Sequence, residues 1–179
     1  MEEDFRRTIE SMRITILGMP GSGKSTLARA IAEKQGIPYI HIDRFWREGG
    51  GGHSSHTTPN HEQTQAYLRE KVIEAIQAES WVSDGVYSLV QPEIAEKADT
   101  LVYLDIPLWR RLLNHAVRLT NRSERRGQMT FRADIEFLLE MLKRDPRKNK
   151  NIQEFLEKYR NKTIILKSRQ EIAQYLQSL

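Results

Sequence analysis

A segment of nine residues, from Gly18 to Thr26, contains residue types that can hold phosphate. It reads Gly-Met-Pro-Gly-Ser-Gly-Lys-Ser-Thr, and the glycines, the lysine and the hydroxyl residues follow at the spacing of a phosphate-binding loop. Glycines let the backbone wrap around an anion, and N–H groups at the positive end of a helix point at phosphate oxygens. Lys24 would reach the β- and γ-phosphates, and the Ser25 hydroxyl would help to coordinate Mg²⁺. The segment therefore predicts binding of a nucleoside triphosphate, and the candidate contacts are Gly18, Pro20, Gly21, Ser22, Gly23, Lys24, Ser25 and Thr26.

The flanking segments place this loop between a strand and a helix. Residues 13–17 are a short, mostly β-branched apolar run that leads into a glycine, which is typical of a buried strand. Residues 26–35 carry apolar side chains at helical spacing and stop at Gly36, a residue that commonly ends helices. This setting favours a phosphate loop over the alternative, a simple Gly/Ser turn with an exposed lysine.

Two carboxylates follow further predicted strands. Asp84 closes residues 81–85, where phosphate-loop proteins hold the carboxylate that orients magnesium, although an Asp-Gly turn is the alternative. Asp43 ends residues 38–43 and could be a general base, could position the acceptor, or could only begin a helix or turn. If Asp43 is a base, the acceptor is an alcohol, because a phosphate acceptor is already an anion. Ser25 and Asp84 are therefore the candidate metal residues, and Asp43 is a candidate catalytic residue.

The whole chain has a net charge of +4, and many of its basic residues are concentrated in its second half. They are Arg110, Arg111, Arg118, Arg122, Arg125 and Arg126, then Lys143, Arg144, Arg147, Lys148 and Lys150. Arg118 and Arg122 are four residues apart on a predicted helix, 108–123, so both could reach the nucleotide and neutralise the transferred phosphoryl group. A solvated basic face is the alternative for this pair. The basic segment of about 118–130 is a candidate lid, and the charge also suits nucleic acid.

Residues 47–60 are expected to form a mobile acceptor loop, because four consecutive glycines cost too much entropy for a regular element. His53, His56 and His61 raise the alternative of a zinc site, but a polar loop with solvated histidines is favoured because no further ligand cluster is evident. The tryptophans at 46, 81 and 109 are expected in or near the core. Trp46, which follows Asp43 closely, could instead form a wall of an acceptor pocket.

Predicted strands alternate with predicted helices along the 179 residues, which indicates one α/β domain with a parallel sheet covered on both faces. In such folds ligands bind at the carboxyl ends of the strands, where the loop, Asp43 and Asp84 all fall. The further predicted elements are strands at 100–106 and 163–167 and helices at 131–144, 150–160 and 170–179. A helix after residue 60 is expected to have Ala66, Val72, Ile73 and Ile76 on its apolar side. The absence of cysteine excludes disulfides and thiolate metal sites, and the lack of a long apolar run favours a cytoplasmic protein without a membrane partner.

The combination of motifs resembles the adenylate kinase-like P-loop kinases, most closely the bacterial DNA-topology modulation proteins. The residues that carry the resemblance are the phosphate loop, His41-Ile42-Asp43 with Phe45-Trp46, Trp81-x-x-Asp84-Gly85-x-Tyr87, Asp105, and the closing segment 164–169. The resemblance implies a three-layer P-loop NTPase fold, a five-stranded parallel sheet of order 2-3-1-4-5, and ATP as the donor. Adenylate kinases would have an arginine soon after their Asp-Gly pair, where this chain has Tyr87 and Ser88.

Two functions of different classes remain open at this point. The leading hypothesis is an ATP-dependent kinase that phosphorylates a nucleoside, a nucleotide or a similar small polar acceptor, with Mg²⁺ held by Ser25 and Asp84. Its candidate catalytic residues are Lys24, Asp43, Arg118 and Arg122, and Arg118 is also a candidate nucleotide contact. The alternative is a nucleotide-dependent regulator that binds nucleic acid through its basic segments, although no helix-turn-helix, zinc finger or other motif for sequence recognition is evident. Hydrolysis of a nucleoside triphosphate is disfavoured, because no glutamine or glutamate is obviously placed to orient water.

Overall fold

A computed structural model describes residues 11–52, 60–120 and 150–179, with only the backbone described for 118–120. The strands are β1 (Arg13–Gly18), β2 (Tyr39–His41), β3 (Trp81–Asp84), β4 (Thr100–Leu104) and β5 (Thr163–Leu166). The helices are α1 (Lys24–Gln35), α2 (Ile42–Glu48), α3 (His61–Ala75), α4 (Gln91–Lys97), α5 (Leu108–Thr120), α6 (Lys150–Lys158) and α7 (Arg169–Ser178). A short 3₁₀ turn, Arg160–Lys162, precedes β5.

All five strands are parallel and lie in the order β2-β3-β1-β4-β5. This arrangement confirms the α/β fold and the strand order that the resemblance implied. The central position of β1 explains its almost complete burial, because helices cover both faces of a parallel sheet. The phosphate loop that follows β1 therefore lies at the middle of the carboxyl edge of the sheet.

Two apolar clusters form the layers on either face of the sheet. One joins Ile14 and Ile16 of β1 to Leu27 and Ile31 of α1, with α7 packed against it. The other includes side chains from α2, α3 and α4, with α6 packed on its edge. Successive side chains of β1 thus point to opposite faces of the sheet, as expected for a strand. The clusters fix α1 and α2 against the sheet, and these two helices carry Lys24, Ser25 and Asp43.

The strand predicted at 38–43 is too long, because β2 ends at His41 and Asp43 lies in the first turn of α2. Ile42 and Trp46 recur at helical spacing and are both buried, so the apolar pattern beyond His41 belongs to a helix. A carboxylate in the first turn of a helix also complements the positive end of its dipole. Asp43 is therefore a residue of the first helical turn, and the alternative that it is the N-cap is wrong, because His41 takes that position.

Two other expectations about burial are wrong. Ala66 and Ile73 are exposed on α3, which buries Thr64, Leu68 and Val72 at intervals of four residues, with Ile76 buried just beyond its end. Trp109 is 56% exposed on α5, whereas Trp81 is fully buried.

Helix α4 was not predicted, since it spans only seven residues and has a proline near its start. The predicted helix at 131–144 lies outside the described residues.

Within the residues that the structure describes, no helix is long and apolar enough to cross a membrane.

Candidate active site

The glycines of the phosphate loop have two distinct roles. Gly18 and Gly21 allow close packing, because a Cβ on Gly18 would lie 2.9 Å from the Leu104 carbonyl oxygen and one on Gly21 would lie 2.8 Å from that of Arg111. Gly23 has a φ of +98°, yet nothing in the described part of the chain lies within 4 Å of where its Cβ would be. The backbone of Gly23 therefore borders open space at the start of α1, where an anion would meet the helix N–H groups.

The first two side chains of α1 lie at this same end of the helix. The Lys24 ammonium donates a hydrogen bond to the Met19 carbonyl oxygen at 3.2 Å, so the side chain folds back along the loop. The Ser25 hydroxyl donates a short hydrogen bond to Oδ2 of Asp84. The structure thus brings together the two residues predicted to hold a metal, although they are far apart in sequence.

Asp84 is a buried carboxylate whose side chain is only 1% exposed. Burying a charge is costly unless it is hydrogen-bonded, and here each carboxylate oxygen accepts a bond from a hydroxyl. Oδ2 accepts from Ser25, and Oδ1 accepts from the Tyr39 hydroxyl at 2.8 Å. Burial and the bond to Asp84 both raise the pKa of Tyr39, which keeps its phenol protonated and able to donate. The carboxylate is therefore held in one orientation.

Asp43 lies beside this group but is open to solvent, with 54% of its side chain exposed. The His41 Nε2 atom is 3.9 Å from a carboxylate oxygen of Asp43 and 3.9 Å from one of Asp84. Burial raises the pKa of Tyr87, and so do the charge of Asp43 and a hydrogen bond to it. Asp43 is thus an accessible carboxylate near the Tyr87 hydroxyl and beside the buried one.

Helix α5 packs directly on the phosphate loop, which the sequence did not indicate. The Arg111 guanidinium lies 3.5 Å from the Pro20 carbonyl oxygen, and the Asn114 amide donates to that of Gly21 at 2.9 Å. Arg169, the first residue of α7, donates in turn to the Asn114 side-chain oxygen at 2.7 Å. Arg111 is only 2% exposed, so it does not belong to a basic surface. Arg111 and Asn114 thus stabilise the loop by contacts with its carbonyl groups, and Arg169 holds Asn114 in place.

The arginines predicted to touch the phosphoryl group are only partly described. Arg118 lies in α5, seven residues after Arg111, so helical periodicity places the two positions on the same face of the helix. The other arginines of the predicted lid, Arg122, Arg125 and Arg126, lie outside the described residues, as do the basic residues from 143 to 148. Their roles stay predictions.

The start of the predicted acceptor loop is anchored on Trp46. Residues 47 and 48 belong to α2, and the loop begins at Gly49, whose carbonyl oxygen accepts a hydrogen bond from Thr64 at 2.7 Å. The Trp46 indole donates to Gly52 at 2.9 Å, and a Cβ on Gly51 would lie 2.3 Å from its Nε1. Because Trp46 is only 9% exposed, it is a buried support of this region and not an open pocket wall.

The zinc alternative gains no support from the described histidine. His61 begins α3, where its ring meets Trp46 edge-on at 5.7 Å and its Nε2 lies 2.9 Å from the Gln65 amide. The expectation of a solvated histidine is therefore wrong for His61, whose ring is packed. His53 and His56 lie outside the described residues, and among the others no group of three or more His, Cys, Asp or Glu residues could hold a metal.

The residues at the loop fit Mg²⁺ and a nucleotide. A hydroxyl and a carboxylate are the hard oxygen donors that Mg²⁺ uses, and it retains several waters besides them. Ser25 directs its proton to Asp84, which leaves its oxygen lone pairs available to a cation. The open space at Gly23 and the nearby Lys24 suit the phosphates. The arrangement can therefore bind the triphosphate of a nucleotide together with its metal ion.

Comparison with known proteins agrees with this chemistry. The model of a family described as AAA domain matches residues 14–150. An adenylate kinase of Mycobacterium leprae (strain Br4923) is 30% identical over 137 residues, which are 74% of this chain and 69% of that protein. A UPF0200 protein of Aeropyrum pernix is 30% identical over 102 residues, covering 51% of this chain and 54% of that protein.

Solved structures share the fold at low sequence identity. Shikimate kinase from Acinetobacter baumannii, in complex with shikimate, has a TM-score of 0.55 at 20% identity and covers 94% of this chain and 91% of its own. Shikimate kinase from Bacteroides thetaiotaomicron has a TM-score of 0.53 at 19% identity, covering 93% of this chain and 95% of its own. The chain therefore has the fold of P-loop kinases.

Proposed function

Since the chain belongs to the AAA domain family and is a relative of adenylate kinases, we propose that it is an ATP-dependent small-molecule kinase. It transfers the γ-phosphoryl group of ATP to a nucleoside, a nucleotide or a similar small polar acceptor. The observation that carries the proposal is the hydrogen bond from Ser25 at the phosphate loop to the buried Asp84. This pair supplies oxygen donors for Mg²⁺ beside a loop whose glycines leave room for phosphate.

Most of the catalysis is electrostatic, because phosphoryl transfer needs positioning and charge neutralisation more than covalent chemistry. Mg²⁺, when bound, neutralises charge on the β- and γ-phosphates. Lys24 adds a positive charge at the same phosphates, and the helix N–H groups after Gly23 bind their oxygens. Arg118 and Arg122 supply further positive charge as the phosphoryl group moves, and the segment of about 118–130 closes over the nucleotide and excludes water.

Asp43 binds the acceptor hydroxyl in this proposal. Its exposure allows contact with an incoming molecule, and the Tyr87 hydroxyl lies near it. An acceptor hydroxyl that donates a hydrogen bond to Asp43 gains an aligned attacking oxygen, and the same carboxylate can take its proton. A neutral hydroxyl suits this position better than an anionic oxygen, because Asp43 and Asp84 are both negatively charged.

The test is ATP turnover with Mg²⁺ against a panel of nucleosides, nucleoside monophosphates and small hydroxylated metabolites, shikimate included. Phosphorylated products are identified by mass spectrometry. One acceptor should give a product, and Lys24→Met should abolish it. Lys71→Met is the matched control, because Lys71 is a partly exposed lysine paired with Glu74 on α3, and it should leave turnover unchanged.

Asp43→Asn separates the two roles of that carboxylate, since the amide still binds a hydroxyl but cannot take its proton. A fall in kcat with little change in the KM of the acceptor would identify a base, whereas a rise in that KM would identify a positioning group. Tight ATP binding without a product from any acceptor would contradict the kinase and favour the nucleotide-dependent regulator of nucleic acid. The likeness to DNA-topology modulation proteins and the cytoplasmic location stay predictions.

A further inference from the structure

We propose that Tyr39 is a positioning residue for magnesium, acting through Asp84. The inference rests on the proposed function, because it takes Ser25 and Asp84 as the residues that serve the metal. Tyr39 does not itself contact the metal in this proposal. Its hydroxyl fixes the orientation of the carboxylate and so sets the affinity of the site for a divalent cation.

The geometry around Asp84 shows why a second donor is needed. Ser25 donates to Oδ2 and Tyr39 donates to Oδ1 at 2.8 Å, so the two hydroxyls hold the carboxylate from opposite oxygens. With Ser25 alone, the carboxylate could rotate about its bond to that hydroxyl. The Tyr39 bond removes this freedom before any metal arrives, and preorganised ligands bind metals more tightly.

The position of Tyr39 is itself fixed by the strand that carries it. In the parallel pairing of β2 with β3, Tyr39 lies opposite Val82 and His41 lies opposite Asp84. Residues two apart on a strand face the same side, and the rings of Tyr39 and His41 stack with centroids 5.6 Å apart. Tyr39 also packs against the apolar cluster under α1. The ring therefore has little freedom to move, and its hydroxyl stays within hydrogen-bond distance of Asp84.

The experiment measures metal affinity without turnover. Mn²⁺ binding to the protein–ADP complex is followed by electron paramagnetic resonance for the wild type and for Tyr39→Phe, which removes the hydroxyl and keeps the ring. The dissociation constant for Mn²⁺ should rise by about tenfold, as expected when a residue that orients a metal ligand is lost. The affinity for ADP without metal is measured alongside and should change little, whereas the thermal unfolding midpoint should fall by a few degrees, because the buried Asp84 oxygen loses its hydroxyl partner.

Two controls make the result specific. Tyr175→Phe removes the hydroxyl of a partly buried tyrosine on α7, whose pKa is raised by burial alone, and it should leave Mn²⁺ binding unchanged. In an Asp84→Asn background, the further change Tyr39→Phe should have no effect, because the hydroxyl acts only through the carboxylate.

An Mn²⁺ dissociation constant for Tyr39→Phe within twofold of the wild type would overturn the inference and leave the proposed function intact. An equal loss in the wild-type and Asp84→Asn backgrounds would overturn it as well, because the hydroxyl would then act by another route. Failure of the wild-type ADP complex to bind Mn²⁺ would instead overturn the proposed function, and the inference with it.

Discussion

Replacing Gly23 by alanine should weaken nucleotide binding about tenfold or more at a small cost in stability, and Gly36→Ala is its matched control. Both glycines have a left-handed backbone, with φ of +98° and +66°, and nothing in the described structure lies within 4 Å of the place that a Cβ would take at either residue. Each substitution therefore costs only backbone strain, about 1–2 kcal/mol. For a chain of this length, that lowers Tm by a few degrees.

The two variants should differ in ADP binding. The methyl group at position 23 fills the space where phosphate meets the start of α1, whereas Gly36 ends that helix at its far side. Loss of one charge-assisted hydrogen bond costs about 1.5–3 kcal/mol, so ADP should bind about tenfold or more weakly to Gly23→Ala. Titration calorimetry gives the affinities, and differential scanning fluorimetry gives Tm. If Gly23→Ala bound ADP as tightly as Gly36→Ala does, the open space would not be the phosphate cradle.

Three further predictions concern the loop, its support by α5, and the titration of a tyrosine on α7. Lys24→Met should abolish turnover while Tm stays within about 2 °C of the wild type; residual turnover of about one tenth or more would contradict the assignment. Asn114→Ala removes the bonds to Gly21 and Arg169, so it should lower the free energy of unfolding by about 1 kcal/mol and weaken ADP binding several-fold in calorimetry; unchanged affinity would mean that this support is not needed. Burial raises the pKa of Tyr175 from 10.0 to about 12, so the unfolded chain releases this proton first and the free energy of unfolding should fall as pH rises through that range. Denaturant unfolding should show a smaller fall in Tyr175→Phe, and identical slopes would refute the linkage.

The phosphate loop could be predicted from sequence because its requirements are local. The glycines, Lys24 and Ser25 follow one another, and the flanking apolar runs define the strand and the helix. Asp84 was also predicted to lie near the loop, since the carboxyl ends of parallel strands share one edge, and the structure places it beside Ser25. The strand order, by contrast, came from the resemblance to a family and not from hydrophobic periodicity.

The supports of the site were missed because they depend on contacts between distant elements. Tyr39 looks like an ordinary strand residue, and only the pairing of β2 with β3 reveals that its hydroxyl reaches Asp84. The sequence predicted a helix at 108–123 but not which of its faces is buried. The helix buries Arg111 and His115, with Arg111 against the loop, and leaves Trp109, Leu113 and Val117 more than half exposed. Hydrophobic patterning ranks side chains by polarity, so it cannot recognise a polar face whose partners are backbone carbonyl groups.

The indole of Trp46 gives the protein a built-in optical probe. It donates to the Gly52 carbonyl oxygen and lies 5.5 Å from the ring of Tyr87, between the loop after α2 and the segment after β3. Trp81 is fully buried and Trp109 is largely exposed, so a water-soluble quencher would remove the emission of Trp109 first. The remaining fluorescence would then come from Trp46 and Trp81, and a change in the part due to Trp46 would report movement of the loop after α2, so a fluorescence titration could screen unlabelled compounds without any measurement of turnover.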